Sequence, residues 1–177
     1  MADKKMPCTL AEWFEYGRSC FHLPDGVEAV RAFRKVADMN PGYRHPDGDN
    51  PYFYLGKIFE VEGRLEEAIV HYSRALAIDP EDEESLIGRG SCFTVIKEHA
   101  RAIDDFSHLL HMSQGRRKIP DKHLLYVIAE NYRQMKEWGQ AIYWAQLALN
   151  ADPGNERHQK LYEMIVAGMH PESGKPQ

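Results

Sequence analysis

The sequence predicts an all-α chain built as a solenoid of about four helix-turn-helix repeats, closed by a C-terminal capping helix. Three observations carry that reading. Small residues recur in register: Gly17, Gly56, Gly90 and Ala129 follow one another at steps of 39, 34 and 39 along the chain, and Ala29, Ala68, Ala102 and Ala141 repeat those steps. From Pro41 to Pro80 is again the long step, and from Pro80 to Pro153 is one step of each length. The aromatic residues Phe33, Tyr72 and Phe106 keep the long step and then the short one. A register shared by three residue classes, at a period of a few tens of residues, marks a repeat architecture.

Residues 1–9 are expected to be an N-terminal extension, followed by repeats at 10–43, 49–82, 83–116 and 122–155. The second repeat is the cleanest. Its first helix carries Tyr52, Leu55, Gly56 and Phe59 at i, i+3, i+4 and i+7, an amphipathic stripe. Gly63-Arg64 marks the turn. The second helix carries Leu65, Ala68, Ile69, Tyr72, Ala75, Leu76 and Ile78, and Asp79-Pro80 ends it because proline disfavours helix at the residue before it. Gly56 and Ala68 are small because the two helices of one repeat approach closely there. Tyr72 and Phe59 fill the gap to the next repeat. Residues 156–169 place Leu161, Tyr162 and Ile165, with Met169 a candidate fourth, on one face of an otherwise polar helix, which suits a cap. Residues 170–177 are rich in Pro, Ser, Gly and Lys and read as a disordered tail.

This spacing resembles the tetratricopeptide repeat family, whose unit of about 34 residues places Trp, Leu, Gly, Tyr, Ala, Phe, Ala and Pro at fixed positions. Tyr52, Leu55, Gly56, Phe59, Ala68, Tyr72, Ala75 and Pro80 stand at those places in the second repeat. The first keeps Trp13, Gly17, Ala29, Phe33 and Pro41, the third Leu86, Gly90, Phe93, Ala102 and Phe106, and the fourth Leu125, Ile128, Ala129, Tyr132, Ala141, Ala148 and Pro153. The resemblance implies a right-handed solenoid whose first helices line a concave, partner-binding face. The fifth place of each repeat then holds Phe14, Phe53, Ile87 and Tyr126, the ninth Arg18, Lys57, Ser91 and Glu130, and the twelfth Phe21, Glu60, Thr94 and Arg133. Aromatic anchors beside arginine are what interaction hot spots favour, although aromatics at these places also serve as packing between repeats. Chaperone-binding members of the family hold a peptide C-terminus with Lys and Asn at set places. Here those places hold Phe14, Arg18, Tyr54, Glu84 and Gly88, or Phe53, Lys57, Gly88, His123 and Val127, so no such carboxylate clamp is expected.

Two of the three steps exceed the other by five. The extra residues fall at Tyr43–Asp49 and Gly115–Asp121, both basic: Arg44-His45-Pro46-Asp47 and Arg117-Lys118-Ile119-Pro120-Asp121. They read either as tolerated loops or as contacts for an acidic partner. The double-repeat period that aligns Arg44 with Arg117 suggests a duplicated two-repeat unit.

Composition narrows the function. The chain has 177 residues, a net charge of -5 and 28% charged residues. That balance disfavours nucleic-acid binding, which shows a basic footprint. No run approaches the ~18 apolar residues of a membrane helix, so no membrane insertion is expected. No apolar leader follows Met1, which makes the cytoplasm the expected location. Cys8, Cys20 and Cys92 lack metal-ligand spacing, and Cys20 and Cys92 read as small core residues. His108 and His111 share a helix face, but two imidazoles, even with His99 nearby, fall short of a zinc site. Glu81-Asp82-Glu83-Glu84 reads as helix capping. No Gly-rich phosphate loop and no nucleophile–base pairing is present. The expected function is therefore a non-catalytic module without metal or cofactor that binds a peptide or helix of another protein in its groove, as an adaptor or assembly factor. A chaperone of the small type III secretion class, for exported proteins, is the alternative. A homodimer through Leu10 and Trp13 is a further expectation, should the end face of the first repeat stay uncovered.

Overall fold

In the computed structural model, residues 6–23, 26–112, 115 and 117–169 are described. Among them lie nine α-helices and no strand: α1 (Leu10–Cys20), α2 (Val27–Met39), α3 (Pro51–Val61), α4 (Leu65–Ile78), α5 (Glu83–Val95), α6 (His99–His111), α7 (Asp121–Gln134), α8 (Trp138–Ala151) and α9 (Glu156–Met169). The all-α class read from the repeat register is the one the chain adopts. It divides into two compact units, Met1–Cys92 and Phe93–Gln177, the division falling inside α5. The tail expected from His170 onward lies outside the described residues, as does Gln114 at the expected proline place of the third repeat.

Helix starts follow from local chemistry. Thr9 opens α1 with a capping box: its hydroxyl accepts from the Glu12 N–H at 3.2 Å, and the Glu12 carboxylate accepts from the Thr9 N–H at 2.9 Å. The Asn50 side chain caps α3 by accepting from the N–H groups of Tyr52 and Phe53, with Pro51 at the first helical position. The turns inside the second, third and fourth repeats share one geometry. Gly63, Lys97 and Lys136 have φ of 75°, 65° and 60°, and they follow one another at the short and then the long repeat step. The residue after each donates its N–H five positions back: Arg64 to Phe59 at 2.8 Å, Glu98 to Phe93 at 2.8 Å, Glu137 to Tyr132 at 3.0 Å. Glycine adopts this left-handed conformation without cost. The two lysines do not, and their β-carbons crowd the backbone.

In the first unit α1 packs on α2, α2 on α3 and α3 on α4. Phe14, Phe33, Leu55, Phe59 and Tyr72 are each 0–1% exposed. The small residues expected at close approaches are where that expectation puts them. A β-carbon on Gly17 would stand 2.8 Å from the Phe33 ring, and one on Gly56 2.7 Å from the Tyr72 ring. The far side of the Tyr72 ring meets Gly88 of α5, where a β-carbon would lie 2.7 Å from Cε2. Tyr72 thus bridges consecutive repeats.

In the second unit α7 packs on α6, α8 and α9, and α8 on α9. The cap is buried through Leu161 and Ile165, as its apolar stripe predicts, but Met169 is 37% exposed. His158, which sequence patterning left on the polar face, is 5% exposed. Its Nδ1 lies 3.0 Å from the Ala148 carbonyl. Gly168 lets the Trp138 ring reach α9, since a β-carbon there would lie 2.6 Å from it. Buried Asn131 donates to the Val127 carbonyl at 2.8 Å, and its side-chain oxygen meets Thr94 at 3.2 Å and His99 at 2.9 Å.

The arginines of both basic inserts are used by the fold. Arg44 donates to the Asp79 carboxylate at 2.7 Å and to the Gly48 carbonyl at 3.1 Å. The Arg117 side chain is 4% exposed and pairs with Asp121, and it also donates to the Ile119 carbonyl at 2.7 Å. Each guanidinium ties its loop down internally.

One core group is titratable in an accessible range. The His71 ring stacks on Phe59 with centroids 5.2 Å apart and on Tyr52 at 6.2 Å. Burial, and then the charges of Arg74 and Arg34, hold its pKa down at about 4, against the opposing pull of Glu67. Folding therefore favours neutral His71. Its stabilising contribution is complete above the unfolded value near 6.5 and is lost as pH falls toward 4, because the unfolded chain binds the proton first. The melting temperature is expected to drop between pH 6.5 and 4, and His71→Phe, which keeps a ring in the stack, removes part of that drop.

Backbone geometry gives a second expectation, with opposite signs at two positions. Gly56→Ala forces a methyl group into a ring that cannot retreat and destabilises by about 1–3 kcal/mol. Lys97→Gly relieves the left-handed turn and stabilises by roughly 0.5–1 kcal/mol. Urea denaturation of the two variants beside the parent chain measures both.

Candidate functional site

The residues expected to line a groove separate into structural and accessible groups. In the first unit, Phe14 is 0% exposed. Its ring is enclosed by His45 at 5.0 Å, Tyr43 at 5.5 Å, Phe33 at 5.6 Å and Tyr54 at 5.7 Å. Phe14 is a core residue rather than the groove residue expected, because the insert Tyr43–Asp49 folds Tyr43 and His45 against it. Arg18 is tied to Asp47 at 2.5 Å and Glu15 at 3.4 Å. Glu60 accepts from the Tyr72 hydroxyl at 2.5 Å and from Lys57 at 3.2 Å. Burial and that carboxylate raise the Tyr72 pKa well above the ordinary phenol value, so the hydroxyl stays a donor.

Phe21, Phe53 and Lys57 are half-buried. Phe21 and Phe53 both lie edge-on to the Tyr54 ring, at 5.1 Å, and the Tyr54 hydroxyl is held by Asp49 at 2.6 Å. Phe21 and Lys57 border an open pocket of about 290 Å³ completed by Leu23, Gly26, Ile58, Val61 and Glu62. Leu23 is 51% and Val61 80% exposed. The pocket is therefore apolar with one charge of each sign. Ile87 and Ser91 are half-buried on α5. Cys92 beside them is 1% exposed, and burial pushes its thiol up to about 11, so it packs as a thiol rather than reacting as a thiolate. Trp13 is 9% exposed and Leu10 is half-buried.

In the second unit, Thr94 is committed to Asn131. Tyr126, Glu130 and Arg133 of α7 come together with Arg157, Lys160, Leu161 and Met164 of α9 around a pocket of about 330 Å³. The Tyr126 ring stacks on His158 with centroids 5.5 Å apart, and the Arg157 guanidinium lies over it at 5.4 Å. Arg133 makes a two-point pair with Glu130, at 2.6 and 2.8 Å, and Gln134 adds a third bond to that carboxylate. Burial raises the Glu130 pKa, but these bonds outweigh it and the net shift is downward, so the pair is fully ionised at neutral pH. The half of this pocket that α9 supplies escaped the sequence reading. The signal was Arg157, Lys160 and Met164, which at i, i+3 and i+7 share a helix side.

Among the described residues, no group of three or more His, Cys, Asp or Glu side chains converges to hold a metal ion, and no helix is long and apolar enough to cross a membrane. His111 Nδ1 lies 2.6 Å from the Ser107 carbonyl of its own helix.

Paired helices joined by identical left-handed turns, with glycine against aromatic rings between repeats, define a helical-repeat protein. Residues 50–82 match the model of the tetratricopeptide repeat. The chain thus carries a segment that matches this repeat, and its fold is that of tetratricopeptide-repeat proteins. Over 96 residues, 53% of its length, it is 29% identical to Stress-induced-phosphoprotein 1 of Caenorhabditis elegans. It spans 30% of that relative's length. Among solved structures it resembles a tetratricopeptide repeat protein from Parabacteroides merdae, with a TM-score of 0.76 and 20% identity over 92% of this chain and 60% of that one. It also resembles YrrB, described as a TPR protein with an unusual peptide-binding site, with a TM-score of 0.59 and 20% identity over 80% of this chain and 68% of that one.

The placement of Phe14 has a measurable consequence. Phe14→Ala is expected to cost about 3–5 kcal/mol of stability, as for other buried phenylalanines, whereas half-exposed Phe21→Ala costs about 1 kcal/mol or less. Chemical denaturation followed by circular dichroism separates the two.

Proposed function

We propose that this chain is a non-catalytic docking module, an adaptor or assembly factor that holds a peptide or helix of a partner protein against its first helices. The observation that carries this reading is the pair of open pockets, one per unit, each bordered by half-exposed residues from the expected groove. Phe21 and Lys57 border one, and Tyr126, Glu130 and Arg133 border the other. Aromatic and long apolar side chains beside charges are the composition of protein-binding hot spots. A volume near 300 Å³ admits a few side chains of a partner segment. The description of YrrB as a peptide-binding repeat protein supports the same use of the fold.

A photo-crosslinking phenylalanine analogue at position 21, with a second preparation carrying it at position 126, tests the reading. Partner segments are expected to crosslink at either site, and the Phe21→Ala, Lys57→Ala double variant is expected to lose the partner of the first pocket while keeping its helicity and melting behaviour. An unchanged set of bound proteins after the double substitution, with no crosslink at either position, refutes it.

A further inference from the structure

We infer that the pocket between α7 and α9 is a selective site for a partner segment in which acidic and apolar side chains succeed one another, with the capping helix supplying the selecting charge. This rests on the docking reading above and adds the chemistry of the occupant. Three cations border the pocket, Arg133, Arg157 and Lys160, against one carboxylate, Glu130. That carboxylate is already engaged by Arg133 and Gln134. Arg157 and Lys160 are both exposed, and among the described residues neither has an ion pair. Their charge is directed outward on a chain whose net charge is -5, so the local sign opposes the global one. Such a patch attracts carboxylates while the rest of the surface repels them.

The floor is apolar. Leu161 is 3% exposed, Met164 is 44% exposed, and the Tyr126 ring is held by its stacking on His158 and its contact with the Arg157 guanidinium. Methionine adapts its shape to varied apolar side chains. The site is also preformed. α9 is locked by the His158 contact to the Ala148 carbonyl, by Ile165 at 0% exposure and by Trp138 against Gly168. Little ordering is therefore required on binding. A folded domain does not enter about 330 Å³, but a Glu-apolar-Glu succession does, with carboxylates at Arg157 and Lys160 and the apolar side chain on Met164 and Tyr126. The carboxylates come from side chains within the segment. Binding therefore does not depend on a free chain end, in keeping with the absence of the family's clamp residues.

The test uses the full chain and four fluorescein-labelled probes of equal length: an amidated peptide of alternating Glu and Leu, the same peptide with a free C-terminus, an amidated Glu-Ser peptide and an amidated Lys-Leu peptide. An oligouridylate of matching length is the nucleic-acid arm. The two Glu-Leu peptides are expected to bind alike by anisotropy, the other probes at least about tenfold more weakly. The Arg157→Glu, Lys160→Glu variant, which alters only exposed positions, is expected to lose about tenfold or more for Glu-Leu. Amide shifts are expected at Tyr126, Arg157 and Lys160. Equal binding of Glu-Ser, tighter binding of the oligouridylate, or dependence on the free C-terminus overturns the inference. So do undiminished binding by the charge-reversed variant and shifts confined to Phe21 and Lys57. The last of these leaves the general docking reading standing, and failure of every peptide to bind at either pocket removes both.

Discussion

The contact on which the first unit depends is the Tyr72 ring held between two glycines. Gly56 on α3 and Gly88 on α5 present bare backbone to opposite sides of the ring, and its hydroxyl is bonded to the Glu60 carboxylate at 2.5 Å. A buried aromatic ring contributes on the order of 2–3 kcal/mol through removal from water, and a hydrogen bond to a charged group adds about 1.5–3 kcal/mol. Geometry weighs more than the sum. The ring sets the spacing of α3, α4 and α5 together, so the faces those helices leave exposed are fixed by one side chain. The repeating register is the trace of this arrangement, since each aromatic in the Phe33, Tyr72 series needs a small residue at a constant offset.

That dependence explains why so much of the expected groove in the first unit is consumed by the fold. Glu60 belongs to Tyr72, Arg18 to Asp47 and Phe14 to a cluster of four rings. An aromatic side chain left half-open in a short repeat array exposes apolar area that water penalises. The insert Tyr43–Asp49 removes that penalty at Phe14 by stacking His45 on it. What stays open lies at the helix end, where Phe21 is half-buried and Leu23 and Val61 are exposed.

The repeats were legible because backbone proximity constrains residue size, and size is written directly in the sequence: Gly17, Gly56, Ala68 and the terminal prolines could be aligned without any structure. The turn at Lys97 was not, since lysine at a left-handed position carries no local signal and is recognised only by its distance from Gly63. The site was legible only in part. Place in the repeat gives the side of a helix a residue occupies: Lys57, Tyr126 and Arg133 lie on first helices, and Phe21 caps the end of one. Burial depends on what else arrives there. Neither the rings over Phe14 nor the arrival of Arg157 beside Tyr126 is encoded within the repeat, because both come from segments outside its consensus, an insert and a cap. His158 was misread for the same reason, since its place in the interior requires the Ala148 carbonyl, which an earlier helix supplies.

The placement of Glu130 gives the charged pocket its character. Three cations around one small volume repel each other, and a structure that held them without an anion would be strained in the absence of partner. Glu130 neutralises Arg133 and leaves Arg157 and Lys160, which are exposed and solvated at little cost. A partner carboxylate therefore meets two cations that it desolvates only partly, which favours fast, salt-sensitive association over deep burial of charge. Affinity must then come from the apolar floor, whose area is small. The balance favours a segment that alternates charge and apolar side chains over one rich in either alone: charge sets the approach and the partner choice, and Tyr126, Leu161 and Met164 set the residence time.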